Sequence, residues 1–232
     1  MLFSLFVETT YRGEIMGLFS RKKNKGNNNV ELLGLKGHIS TMKCLLMASI
    51  KDVPLNTTLA SSEVDIDQVN SYQYLDASQK VPTLTQGDLS VSGVRAILTY
   101  LDVKGKGGSL IPKKARNLGL QNYWIDICFQ TLGPVTQAFI NKSMTEKDTA
   151  LLNQVLTSLD KTLAKDDFIV GQLSFADPHV AAYVYALRSS GFDMAQYPNV
   201  DKWTTRLEGE MSGPFNVEEF QAGKLSGNSQ VA

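Results

Sequence analysis

The chain has 232 residues, 43% of them hydrophobic, with 23 basic and 23 acidic side chains and a formal net charge of zero. That is enough apolar material for one or two proper cores, and the balance of charge gives the chain as a whole no pull on nucleic acid or an anionic membrane. The two cysteines, Cys44 and Cys128, and the two histidines, His38 and His179, have no metal-ligand spacing. This excludes a structural zinc site and fits buried free thiols in the cytoplasm or another reducing intracellular compartment.

Residues 1–15, "MLFSLFVETTYRGEI", combine a short apolar run with Glu8 and Glu14 and lack a basic start. They read as an ordinary extension rather than a presequence or secretory signal, and no run approaches the roughly 20 apolar residues that span a bilayer. Met16 is a second possible start, which would expose Gly17 ahead of a basic cluster. Myristate plus such a cluster makes a two-signal anchor, but Ser20 falls one position early for the acylation pattern, so a solvated basic tail is the preferred reading. Membrane contact is therefore expected only if the N-terminus is processed or lipidated. "RKKNKGNNN" (21–29) is a flexible linker, which makes 1–29 an extension outside the folded part.

"VELLGL" (30–35) is a strand candidate, and "HISTMKCLLMASIKDV" (38–53) a helix with Met42, Leu45, Leu46, Ser49 and Ile50 on one face. "LNTTLASS" (55–62) alternates as a strand, and 63–79 reads as loops with a short helix. "VPTLTQGDLSVS" reads as two strands around Gln86-Gly87-Asp88, and 93–103 as a helix with Val94, Ile97, Leu98 and Leu101 inward. The span 30–103 is thus an α/β domain with a mixed sheet. A Gly- and Lys-rich linker, 104–112, leads into an all-helical part, 113–210, and a polar tail, 211–232. The helices are expected at 113–141 (kinked at Pro134), 145–164, 174–190 and 198–209.

Three motifs follow in order. "VPTL" places Pro82 between a loop and an edge strand, and a cis bond there would turn the Val81 backbone toward a ligand. "GQLSFADPHVAAYVYAL" (171–187) pairs Ser174 with Asp177 in a capping-box arrangement ahead of a buried face. "YPNVDKWTTRLEG" (197–209) anchors a last helix through Trp203.

With "KVPTL", "GDLSVSGVRAILTYL", "FIVGQLSFADPHVAAY" and "YPNVDKWTTRL", the chain resembles the glutathione transferase superfamily over about residues 30–210. The resemblance implies an N-terminal thioredoxin-like domain, a C-terminal helical domain and often a homodimer. It implies glutathione as cosubstrate or ligand, with its cysteinyl backbone paired to Val81 beside Pro82. The γ-glutamyl carboxylate should meet a Glu/Gln-Ser pair at a helix N-terminus, an anion-binding arrangement. Here that pair falls on Gly93 and Val94, whose side chains cannot hydrogen-bond. Ser92 or Ser90 could supply a hydroxyl after a shift of register, and Lys36, Lys43 or Lys80 a charge.

The expected catalytic hydroxyl or thiol is also altered. Leu32 takes the tyrosine-type position and His38 the serine-type position, with Ser40 and Thr41 the nearest hydroxyls. His38 and Ser40 are the catalytic candidates that remain. Tyr123, Trp124, Phe129 and Phe139 could line an apolar substrate pocket, or could simply pack. Two functions compete: a non-catalytic interaction or structural module with a degenerate glutathione site, and an active, divergent transferase acting on small electrophiles. A carrier for a hydrophobic molecule is a third possibility. No metal is expected.

Overall fold

The structure, a computed structural model, describes residues 29–60 and 81–213. The expectations for 1–28, for the short helix within 63–79, for Lys80 and for the end of the tail lie outside the described residues.

Four strands form one mixed sheet: β1 (Val30–Leu35), β2 (Leu55–Ala60), β3 (Thr83–Gln86) and β4 (Leu89–Ser92). Their order is β2-β1-β3-β4, with β1 parallel to β2 and antiparallel to β3, and β3 antiparallel to β4. Parallel strands need a crossover, and helix α1 (Ile39–Ile50) supplies it. At the β3–β4 turn Gly87 adopts φ +61°, as a two-residue hairpin requires. Helix α2 (Val94–Lys104) buries Ile97, Leu98 and Leu101, the face its periodicity predicts.

Helix α1 departs from the one-sided pattern. Every residue from Thr41 to Ser49 is buried, including Lys43 and Cys44. The reason is its position: it packs against α2 on one side and against a helix of the C-terminal part, α6 (Ala176–Ser189), on another. It ends where Asp52 enters the left-handed region (φ 49°) and Val53 N donates back to Ala48 O at 2.8 Å.

The rest of the described chain is helical: α3 (Ala115–Ile127), α4 (Gly133–Ile140), α5 (Glu146–Leu163), α6 (Ala176–Ser189) and α7 (Pro198–Gly209). The expected helix over 113–141 runs from Ala115 to Ile140 with one irregularity: a π-helical turn, Cys128–Leu132, joins α3 to α4 just ahead of Pro134, which has no N–H to donate to the preceding turn.

Asp177 organises the base of the helical part. Its carboxylate accepts from Ser174 N (2.8 Å), Ser174 Oγ (3.1 Å), Ile169 N (3.1 Å) and Trp203 Nε1 (3.0 Å). The predicted box is half formed, because Ser174 Oγ accepts from Ala176 N (3.2 Å) and not from Asp177 N. Burial pushes the Asp177 carboxyl up to about 6, and the four hydrogen bonds oppose that rise.

Candidate functional site

The sheet register gathers the predicted pieces. Leu33 pairs with Thr83, so carrying the β1–β3 register two residues further puts Leu35 alongside Val81. The loop Lys36–His38 therefore leaves β1 at the end where β3 begins. Thr83 pairs with Ser92 across β3 and β4, and Gly93 N donates to Pro82 O at 3.2 Å. Val81, Pro82, Ser92, Gly93, Val94 and the start of α1 thus share one end of the sheet. The Val81–Pro82 bond is cis, as expected.

The chain enters α2 through Gly93 at φ +91°, a conformation that residues with side chains rarely adopt. Gly93 makes no side-chain cap, and the first turn of α2 contains no acidic residue. The exposed Arg95 lies in that turn, so backbone N–H groups, the helix dipole and one guanidinium make this end positive. Arg95 was missed by the sequence reading; its position two residues beyond Gly93 was the available signal. The Ser92 hydroxyl shares a 2.7 Å hydrogen bond with the Thr83 hydroxyl.

The start of α1 holds both catalytic candidates. His38 is the N-cap, exposed, with Nδ1 accepting from the backbone N–H of the half-buried Ser40 at 3.3 Å. An imidazole that accepts at Nδ1 carries its proton on Nε2 when neutral. Thr41, the other nearby hydroxyl, is buried and accepts from Leu35 N at 3.0 Å. Leu32 is buried in the core.

Lys43 does not line this site. It is buried, turned toward α6, and its ammonium donates to Tyr183 Oη at 3.1 Å. Nζ lies 4.4 Å from the centre of the Tyr183 ring and 5.2 Å from that of Phe129. Burial pulls its pKa down to about 8, with Cys128 and Cys44 acting the other way. Burial also raises both thiols, Cys128 to about 12, so neither is a thiolate near neutral pH. His179 donates Nδ1–H to Phe175 O at 2.9 Å, and burial brings its pKa down to about 3, which keeps it neutral.

The four aromatics proposed for a substrate pocket divide. Trp124 is in the core, Phe139 meets Phe192 edge-on, and Tyr123 and Phe129 are exposed. Among the described residues, no group of three His, Cys, Asp or Glu side chains could hold a metal ion.

The family model for the glutathione S-transferase C-terminal domain matches residues 124–210. Glutathione S-transferase D6 of Drosophila melanogaster is 27% identical over 204 residues, covering 84% of this chain and 95% of that protein. A delta-class glutathione transferase of Nilaparvata lugens superposes with a TM-score of 0.70 at 25% identity, covering 84% of this chain and 96% of its own. Along most of its length the chain is similar to glutathione S-transferases. A probable glutathione S-transferase of Nicotiana tabacum, 25% identical over 54% of this chain and 60% of its own, is a further relative. The superfamily's two-part architecture is the one described above: a thioredoxin-like mixed sheet with its helices, then an all-helical domain.

Proposed function

We propose that this chain carries a degenerate glutathione site and works as a non-catalytic or weakly active interaction module. The observation that carries the reading is the start of α2. Gly93 offers no side-chain cap, the Val94 side chain has no polar atom, and the hydroxyl of the preceding Ser92 is engaged by Thr83. A γ-glutamyl carboxylate would meet backbone N–H groups and the charge of Arg95, without a side-chain hydroxyl. Val81 would still offer its backbone to the cysteinyl part of glutathione.

A hydrogen bond to a charged group contributes about 1.5–3 kcal/mol, so its loss weakens binding about tenfold to a hundredfold. Chemistry is impaired separately. The two thiols are buried and protonated, and His38 uses Nδ1 to cap α1. The reading also takes residues 30–103 and 113–210 as the two domains, joined by 104–112. It assigns the protein a homodimeric state or a place in a larger assembly, to which the exposed rings of Tyr123 and Phe129 offer apolar area. Buried free cysteines suit a reducing compartment.

One observation favours the alternative, an active divergent transferase conjugating or reducing small electrophiles. His38 sits exposed at a helix N-terminus, where an imidazole and the helix dipole would favour a thiolate.

Calorimetric titration with glutathione tests the proposal. Wild type should bind weakly, and Val94→Ser should tighten binding about tenfold or more. The serine is the clean restoration, because a side chain at position 93 would be strained at φ +91°. Tight, saturable binding by wild type, unchanged in Val94→Ser, would overturn the degenerate-site reading.

A further inference from the structure

The linker between the domains is Gly-rich, yet it is held firmly. Lys51 Nζ pairs with Asp102 at 3.2 Å and donates to Gly108 O at 2.7 Å. Asp102 also accepts from Ser109 Oγ (2.7 Å) and Leu110 N (2.9 Å), and Lys106 N donates to Lys51 O (2.7 Å). This buried node pins both ends of the loop that leaves α2.

Pinning gathers a particular set of side chains. Val103 and Lys104 directly follow Asp102, Lys106 is bonded to Lys51 through its backbone, and Ile111, Lys113 and Lys114 lie one, three and four residues beyond Leu110. At about 3.8 Å per residue, all fall within roughly 15 Å of the node. Arg116 follows in the first turn of α3. Lys104, Lys106, Lys113, Lys114 and Arg116 are all exposed. One of them, Lys106, is paired with the carboxylate of Asp52. Among these cations Val103 is 82% exposed and Ile111 38% exposed. A chain with a net charge of zero therefore concentrates positive charge and bare aliphatic surface on one segment.

We propose that this segment, Val103 to Arg116, is a docking surface for an anionic lipid bilayer. The lysines would meet lipid phosphates and carboxylates, while Val103 and Ile111 enter the boundary between headgroups and acyl chains. Charge complementarity selects an anionic partner. The chemistry of the patch then favours lipid over nucleic acid: four of its five cations are lysines, compact point charges, and its apolar members are aliphatic rather than stacking aromatics. The same chain carries a second lysine-rich stretch, "RKKNK", at 21–25. This inference is independent of the glutathione site.

The test is sedimentation of the full chain with vesicles of phosphatidylcholine alone and with about 30 mol % phosphatidylserine, at roughly 0.1 M salt. The protein should partition onto the anionic vesicles and leave the neutral ones. At about fivefold per cation, the triple variant Lys104→Gln/Lys113→Gln/Lys114→Gln should lower the partition constant about a hundredfold. Val103→Ser should lower it several-fold at unchanged charge. All four positions are exposed, and circular dichroism checks that both variants are folded. Equal binding to both vesicles, or no binding to either, would overturn the proposal. So would a triple variant that binds like wild type, which would move the contact to residues 21–25. Loss of self-association in the triple variant without any vesicle binding by wild type would assign the patch to a second copy of the chain and equally overturn it.

Discussion

Lys43 and Lys51, on and just beyond one helix, are both buried, and they are accommodated in opposite ways. Lys51 meets the Asp102 carboxylate at 3.2 Å and a backbone carbonyl, in a node that closes the interdomain linker. Lys43 projects toward the helical domain, where its described partners are the Tyr183 hydroxyl and two aromatic rings. A buried ion pair with its hydrogen bonds satisfied holds its charge at little net cost, whereas a buried ammonium on rings and one hydroxyl carries much of its desolvation penalty. The lowered pKa of Lys43 expresses that penalty. The linker side of α1 is thus built for stability. Its other side tolerates a local cost beneath the domain interface, the kind of place where a fold gives up stability.

The strongest way to break this comparison is to strip one partner from the paired lysine. Asp102→Ala leaves the Lys51 ammonium buried against the Gly108 carbonyl without its carboxylate, and should cost about 3–5 kcal/mol, read from denaturant midpoints. Replacing both partners, as Lys51→Met/Asp102→Leu, should recover most of that loss. A single-variant cost below about 1 kcal/mol would show that the pair is not structural.

Lys43 should respond with the opposite sign. Lys43→Met removes a desolvated charge and should raise stability at neutral pH by about 1–3 kcal/mol. The pH dependence follows from the lowered pKa. Between about 8, its value in the folded protein, and the ordinary lysine value of 10.5, the unfolded chain holds more protons on Lys43 than the folded one does. Wild-type stability contributed by this group therefore rises with pH across that window, and the advantage of the variant shrinks. The raised cysteine pKa values act the other way above about 9, but both proteins contain them, so the difference isolates Lys43. A difference that stays flat from pH 7 to pH 10 would contradict the account.

Local pattern made much of this molecule legible. The cis Val81–Pro82 bond was implied by the family resemblance, while the hairpin at Gly87, the inward face of α2 and the burial of both cysteines follow from residue types and spacing. The half-formed capping box at Ser174 and Asp177 was readable for the same reason. What was not legible depends on distant partners. Lys43 reads as a polar position on an amphipathic helix until α6 covers that side of α1; its place inside the run "MKCLLMA" was the hint. The Lys51–Asp102 pair joins residues far apart in sequence. The π-turn at 128–132 leaves no residue signature of its own, although Pro134, just beyond it, marked where the long helix becomes irregular. For the site, the apolar character of the side chains at 93 and 94 could be read directly. The engagement of Ser92 by Thr83 could be read only once the β3–β4 register was known.

The central claim is that this site neither grips glutathione nor activates it. The most direct test is a spectroscopic titration of the thiol of glutathione at saturating protein, following thiolate absorbance against pH. The account predicts a midpoint close to the ordinary thiol value of about 8.5, unchanged in His38→Ala. A thiolate already formed below pH 7, and lost in His38→Ala, would contradict it and establish an active transferase with a histidine in the serine's place.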